Sequence, residues 1–486
     1  MRRITTRLTS IVATLGPATD DPEVLGRMIR AGVDVARLNF AYGGHADHAA
    51  RLQHLRAAAD EACRHVAVLQ DLPGPKLRLV TVGGKGFDVA AGDRLRLIPA
   101  LDHDAEPGDL TTTFPEILGD IRVGHAVLFG DGLVRAHVTG HEDDAVVLAA
   151  DDDGTLRPGM GVNLPETSVS LALPTEADWD HLAWGVAHDV DYVGLSFVRS
   201  AEEVRRVKDY LADKRCEARV IAKIEKSEAL DAIDAILAEA DGIIVARGDL
   251  GVEMDLARVP VIQKDLIRRA AAAGVPVITA TEMLQSMLTE PRPTRAEVSD
   301  VAGAVFDGAD AVMLSGETAV GRHPVRAVEM MDHIIDVSED WAQRAGRQGG
   351  AAGERRYVWT ERAIVSGAAG IARDLDVGLI VTLTHSGATA LLISKQGLGV
   401  PVMAISDSVA TCRRMALYRG VTPVYRPELI RQDELGPAVE RIALERKLVV
   451  PGQPMLIMCG YLPGRPGTTD TLRVHTVSGC EQGRSP

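Results

Sequence analysis

RVIAKIEKSEALDAIDAILAEADGIIVARGDLGVE, residues 219–253, decides the fold. Two short β-branched runs, RVIAKIE (219–225) and GIIVA (242–246), flank a stretch whose apolar residues recur at helical spacing. That is one β/α unit of a parallel sheet. The same rhythm runs outward in both directions, with strands expected at IVATL (11–15), VDVARL (33–38), VAVLQ (66–70), DYVGLSF (191–197), PVITA (276–280) and DAVML (310–314). Eight such units predict a (β/α)8 barrel whose site lies at the C-terminal ends of the strands.

The rhythm breaks once. Residues 74–171 carry alternating patterns such as LRLI, VLFGDGLVRAHV and AVVLAA among many Gly and Asp residues, which reads as a small β domain inserted after the third strand. The barrel domain is therefore expected at 1–73 and 172–341. AQRAGRQGGAAGERRY (342–357) reads as a flexible basic linker. Beyond it, 358–486 repeats short apolar strands (VGLIVTLT, VPVMAIS, GVTPVY, PMLIMCG) between helical stretches, the pattern of an open doubly wound α/β sheet.

Bulk properties exclude several classes. The chain has 486 residues, 46% of them hydrophobic and 25% charged, which suits a folded multidomain protein. A formal charge of −15 and a pI near 5.4 argue against a nucleic-acid surface or an anionic membrane. Phosphate binding would then need a local cluster of Arg, Lys or metal. The five cysteines, Cys63, Cys216, Cys412, Cys459 and Cys480, are far apart and form no C-x-x-C pair, so reduced thiols are expected. The N-terminus has too short an apolar run for a signal peptide or a membrane span, which makes the cytoplasm the default location.

An ionisable group closing a buried apolar run must be paired, metal-bound or catalytic. That filter selects Arg37 and Asn39, Asp71, Lys223 and Glu225, Arg247 and Asp249, Thr281, and Ser315 with Glu317. Lys223 and Glu225 are two apart on a strand and so share a face towards the barrel mouth. Asp249, in the RGDLG turn after the next strand, is placed to join Glu225 in holding one hard cation through oxygen. The plain alternative is a structural Lys–Glu pair beside an ordinary Gly–Asp turn.

Several segments resemble the pyruvate kinase family in order and spacing: VARLNF (35–40), VIAKIEKSEAL (220–230), DGIIVARGDLGVE (241–253), TATEMLQSM (279–287) and PRPTRAEVSDVAGAVFDGADAVMLSGETAVG (291–321). The resemblance covers nearly the whole chain. It implies transfer of the phosphoryl group of phosphoenolpyruvate to ADP, giving pyruvate and ATP, the last step of glycolysis. It implies Mg2+, with Mn2+ as an alternative, on Glu225 and Asp249, and the substrate carboxylate on amides around Gly248 and Asp249. Lys223 would stabilise the transferring phosphoryl, Arg37 would clamp it, and Thr281 would lie near the face where the enolate is protonated, although a structural hydroxyl fits that position equally. The inserted domain would be a β-barrel lid, with Arg78 and Asn39 at the nucleotide. The resemblance further implies a homotetramer.

Two departures stand out. RPGMGVNLP (157–165) has Gly and Met where many members carry lysines, and FGDG (129–132) keeps only Asp131 of an acidic pair. In the monovalent-cation region formed with Asn39 and Asp71, Ala41 replaces a serine, and Lys76 of DLPGPKLR (71–78) stands where potassium-dependent members have glutamate. A lysine ammonium is a compact point charge able to replace an alkali ion. The expectation is that potassium is not required.

In the third domain, TLTHSGATALLISK (382–395) sets Thr384, Ser386, Gly387 and Thr389 at a strand-to-helix junction suited to phosphate. The resemblance implies a phosphorylated allosteric effector there, and an ST-rich helix cap is the rival. Thr294 and Glu297 fit a capping box. His45 and His48 lie three apart on an expected helix, with no third metal ligand apparent.

Overall fold

The structure is a computed structural model that describes residues 7–81, 86–99, 108–345, 360–431, 435–460 and 469–478. Eight parallel strands close into a barrel: β1 (Ser10–Leu15), β2 (Val35–Asn39), β3 (Ala67–Asp71), β4 (Tyr192–Leu195), β5 (Arg219–Ile224), β6 (Gly242–Ala246), β7 (Val277–Ala280) and β8 (Ala311–Leu314). Each pairs in register with its chain neighbours, and β1 closes the ring against β8. The strands are buried almost throughout because helices cover the outer face and side chains such as Val12, Leu69, Ile221 and Ile278 fill the inside. The expected bounds shift by up to two residues at several ends. β2 begins at Val35, and β4 stops at Leu195 because Phe197 adopts a left-handed φ of 58°.

The insertion is a seven-stranded, largely antiparallel sheet running from Leu79–Thr81 to Val162–Asn163, plus a two-stranded ribbon. Its outer strands are stitched together by the Arg78–Gly161 bridge and by Val162 N–H donating to Leu77 C=O at 3.0 Å. The sheet therefore curls onto itself around its own apolar core, as expected of a small β-barrel.

The C-terminal sheet runs β11–β10–β9–β12–β13, with β9 Leu379–Leu383, β10 Val402–Ser406, β11 Val421–Tyr425, β12 Pro454–Gly460 and β13 Thr469–Thr476. Four strands are parallel, as read from the sequence; β13 is an additional antiparallel edge. Its polar sequence, TDTLRVHT, hid it among the β/α repeats.

The C-terminal domain docks beneath the barrel. Cys412, Met415, Leu417 and Tyr418 join the cluster that lines the barrel's lower interior. Arg413 pairs with Asp191 at 2.8 Å and Lys395 with Asp310 at 2.5 Å, both carboxylates sitting just ahead of barrel strands. Of the expected linker, Ala342, Gln343 and Arg344 end the helix Pro324–Arg344, and 346–357 lies outside the described residues. Cys63, Cys216, Cys412 and Cys459 are free thiols, and Cys480 lies outside the described residues. The capping box is present, with Glu297 N–H donating to Thr294 Oγ1 and Thr294 N–H to Glu297.

Candidate active site

Four charged side chains meet at the upper ends of β2, β3 and β5. Arg37 Nε donates to Asp71 Oδ2 at 2.5 Å, Lys223 Nζ lies 3.2 Å from Asp71 Oδ1, and Lys223 Nζ lies 2.9 Å from Glu225 Oε1. Their spacing follows from the sheet: residues two apart on β5 share a face, and the Asn39–Asp71 register sets Asp71 beside the end of β2. Asp71 and Glu225 are 1% and 2% exposed. Burial pushes Asp71 up, but Lys223 and Arg37 outweigh it and hold the carboxyl below the usual range. Burial works against the Lys223 ammonium too, yet Asp71 and Glu225 lift it above the ordinary lysine value. The lysine stays charged.

Glu225 behaves differently. Burial and the nearby Asp249 carboxylate push it up despite Lys223. Arg37 and Lys223 supply two positive charges and Asp71, Glu225 and Asp249 three negative, so the cluster is one cation short. Two crowded carboxylates of this kind fit Mg2+, which takes oxygen ligands and completes its shell with water and substrate. Among the described residues no group of three His, Cys, Asp or Glu side chains forms a closed metal cage.

Asp249 sits in a helix, Arg247–Glu253, that starts directly after β6, where a turn was expected. Its N-terminal amides therefore cluster at the site. That of Gly248 donates to Thr281 Oγ1 at 2.7 Å, and Thr281 Oγ1 donates to Ala280 C=O at 2.6 Å. Thr281 and Glu282 hold left-handed φ values of 72° and 54°. Together with Phe197, whose N–H donates to Glu225 Oε2 at 2.8 Å, they concentrate backbone strain at the strand ends.

Sequence reasoning missed two partners. Ser196 Oγ accepts from Lys223 Nζ at 2.7 Å and donates to Leu72 C=O, and Thr14 Oγ1 accepts from Arg37 Nη1 at 3.0 Å. Ser196 was missed because the expected strand runs on to residue 197, which puts it inside the strand; the strand ends at Leu195, which leaves Ser196 at the strand end. Thr14, inside β1, looks like any β-branched strand residue.

The remaining residues lie around this core. Asn39 Oδ1 accepts from Ala41 N–H at 3.1 Å, turning the chain over the site. Arg78 Nη1 donates to Gly159 C=O at 3.0 Å inside the lid. Lys76 lines the cleft between lid and barrel with Asn163, Phe197 and Asp249. Asp71 faces Arg37 and Lys223, not Lys76.

In the C-terminal domain Thr384 Oγ1 accepts from Gly387 N–H at 2.9 Å and Ser386 Oγ from Ala388 N–H at 3.4 Å. Thr389 is buried, donating to Glu361 and meeting Thr469. Thr384 and Ser386 thus accept from amides at the start of the short helix Ala388–Ser394, and Thr389 lies within it. His45, on its helix, meets His181 at 2.9 Å, and His48 turns inward to stack on Phe40 at 4.1 Å.

A closed parallel barrel with a lid inserted after β3, a docked α/β domain and a lysine–arginine–carboxylate cluster at its mouth defines a phosphotransferase of the barrel class. Residues 6–328 match the family model for the pyruvate kinase barrel domain and 362–475 that for the pyruvate kinase alpha/beta domain. Pyruvate kinases of Bacillus licheniformis and Geobacillus stearothermophilus are 39% and 38% identical over 475 residues, 97% of this chain and 80% and 81% of theirs. A crystal structure of a pyruvate kinase from Cryptosporidium parvum superposes with a TM-score of 0.90 at 30% identity, covering 97% of this chain and 96% of that one. The chain belongs to the pyruvate kinase family.

Proposed function

We propose that the chain transfers the phosphoryl group of phosphoenolpyruvate to ADP at the Lys223 site, with Mg2+ on Glu225 and Asp249. The observation that carries this reading is the Lys223 ammonium, largely shielded from solvent and held between Asp71 and Glu225 beside Arg37. Phosphoryl transfer needs positioning and charge neutralisation more than covalent help. Arg37, fixed by Asp71 and Thr14, offers its remaining guanidinium edge to the phosphoryl oxygens. Lys223, fixed by Ser196, faces the oxygen that becomes the enolate. Glu225 and Asp249 would hold the Mg2+, which would supply neutralisation of the substrate's negative charge there.

Thr281 protonates the enolate carbon, directly or through water. Arg78 and Asn39 contact the nucleotide under the lid. Lys76 supplies the monovalent charge from the cleft, so potassium is not required; Mn2+ serves in place of Mg2+. The same reading makes the enzyme a cytoplasmic homotetramer answering to a phosphorylated effector at the 384–389 loop, whose N–H groups would turn from Thr384 and Ser386 to phosphate. No described helix is long and apolar enough to cross a membrane.

The test is pyruvate formation from phosphoenolpyruvate, ADP and Mg2+ by wild type and Lys223→Met. Lys223→Met should lose about 10³-fold in kcat, the scale of removing one transition-state charge donor. An inactive wild type would refute the activity, and equal rates would refute the role of Lys223.

A further inference from the structure

We infer that Arg247 is the positioning residue for Thr281, a guanidinium fork that clasps the strained turn presenting the proton-transfer hydroxyl. The inference rests on the role proposed above for Thr281. Arg247 Nε donates to Ala280 C=O at 3.2 Å and Nη2 to Thr281 C=O at 2.7 Å, so one side chain holds the carbonyls on both sides of Thr281. Nη2 also reaches Met283 Sδ at 2.9 Å, beyond the turn. Nη1 is anchored by Asp300 Oδ1 at 2.6 Å, from the helix Arg295–Asp307. No lysine could make these contacts together, because an ammonium is a single point and lacks the planar spacing of Nε and Nη2.

The clasp answers a conformational problem. Thr281 and Glu282 are successive non-glycine residues at positive φ, and a β-branched threonine is disfavoured there. Such a turn persists only where its surroundings over-determine it. Arg247 is also the first residue of the helix that carries Gly248 and Asp249, and the Gly248 amide donates to Thr281 Oγ1. One residue therefore registers the hydroxyl against the helix that bears the carboxylate. Ala280 C=O, which receives the resting Thr281 proton, is shared with the guanidinium, and that weakens its hold on the hydroxyl. During turnover the Thr281 O–H proton goes to the enolate carbon and is replaced from solvent, leaving Arg247 unchanged.

The experiment separates proton transfer from phosphoryl transfer. Exchange of pyruvate methyl protons with deuterium, followed by NMR with Mg2+ and ATP, is compared with ATP formation in rapid-quench turnovers of phosphoenolpyruvate and ADP. Arg247→Lys should slow exchange by about tenfold or more while phosphoryl transfer falls less than about threefold, as displacement of a positioned proton donor does. Arg247→Lys/Thr281→Ala should exchange no more slowly than Thr281→Ala alone, since both act through one hydroxyl. Asp300→Asn keeps the fork and loosens its anchor, and should show the same selective loss at smaller size even where Arg247→Lys folds poorly. Wild-type exchange in both Arg247→Lys and Asp300→Asn, or losses that multiply in the double variant, would overturn the inference. Wild-type exchange in Thr281→Ala would instead overturn the role of Thr281, and with it the reason for the clasp.

Discussion

Asp71 meets Lys223 at 3.2 Å with its second oxygen already on Arg37 at 2.5 Å, so one buried carboxylate keeps two cations in a single site. Removing its charge leaves Arg37 without its ion-pair partner and Lys223 paired with Glu225, with Asp249 nearby. Asp71→Asn should destabilise the protein by about 3 kcal/mol, as loss of one partner of a buried pair does. The pH dependence has a definite sign. The folded carboxyl lies below its usual range, so its contribution is complete above about pH 4 and is lost as pH falls through that lowered value. Urea unfolding from pH 7 to pH 3 should show the gap between wild type and Asp71→Asn closing only at the acid end. A constant gap would contradict the ion pairing.

Lys76 offers a second prediction. It lines the cleft with Asp249, and the proposed function has its ammonium take the place of a potassium ion. Lys76→Glu should therefore create a potassium requirement, with activity in potassium-free buffer falling by about tenfold or more and returning when potassium is added. Titrating potassium chloride against rate, with tetramethylammonium chloride holding the ionic strength, reads this directly. A wild type that itself needs potassium would end the idea.

The barrel was legible because β/α alternation is a local pattern, and its strand ends could be filtered for buried charge. Lys223, Glu225 and Asp71 emerged in that way. What stayed hidden depends on contacts between distant segments. Ser196 is an ordinary serine until Lys223 reaches it, and Arg247 shows its two-carbonyl grip only when β6 and β7 lie side by side. The helix at Arg247–Glu253 was mistaken for a turn because two glycines within five residues depress helix propensity, and the packed strand end overrides that. The edge strand β13 was hidden by its polarity.

His48 sets a pH limit on stability. It is 1% exposed and stacks on Phe40. Burial and the neighbouring Arg51 lower its pKa to about 4. The unfolded chain takes up the proton near pH 6.5 and the folded one only near 4, so stability falls as pH drops through that window. Two to three pH units of difference correspond to a loss of about 3 kcal/mol at the acid end. His48→Phe keeps the stack and removes the titration. Its unfolding free energy should vary less than the wild type's between pH 6.5 and 4, and parallel curves for the two would refute the assignment.

The last prediction concerns the seam beneath the barrel. Lys395 and Asp310 are both nearly inaccessible and 2.5 Å apart, and Asp310 Oδ2 also accepts from Val277 N–H at 2.7 Å, which ties the start of β7 to the C-terminal domain. Lys395→Met strands a carboxylate that still has one amide donor, and should cost about 2 to 4 kcal/mol. Asp310→Asn added to it removes the uncompensated charge while keeping an oxygen for Val277. The double variant should therefore recover part of the loss, a coupling of about 1 kcal/mol or more in a double-mutant cycle. Additive losses would mean that the pair does not hold the seam, leaving docking to Arg413 with Asp191 and to the apolar contacts of Met415 and Leu417.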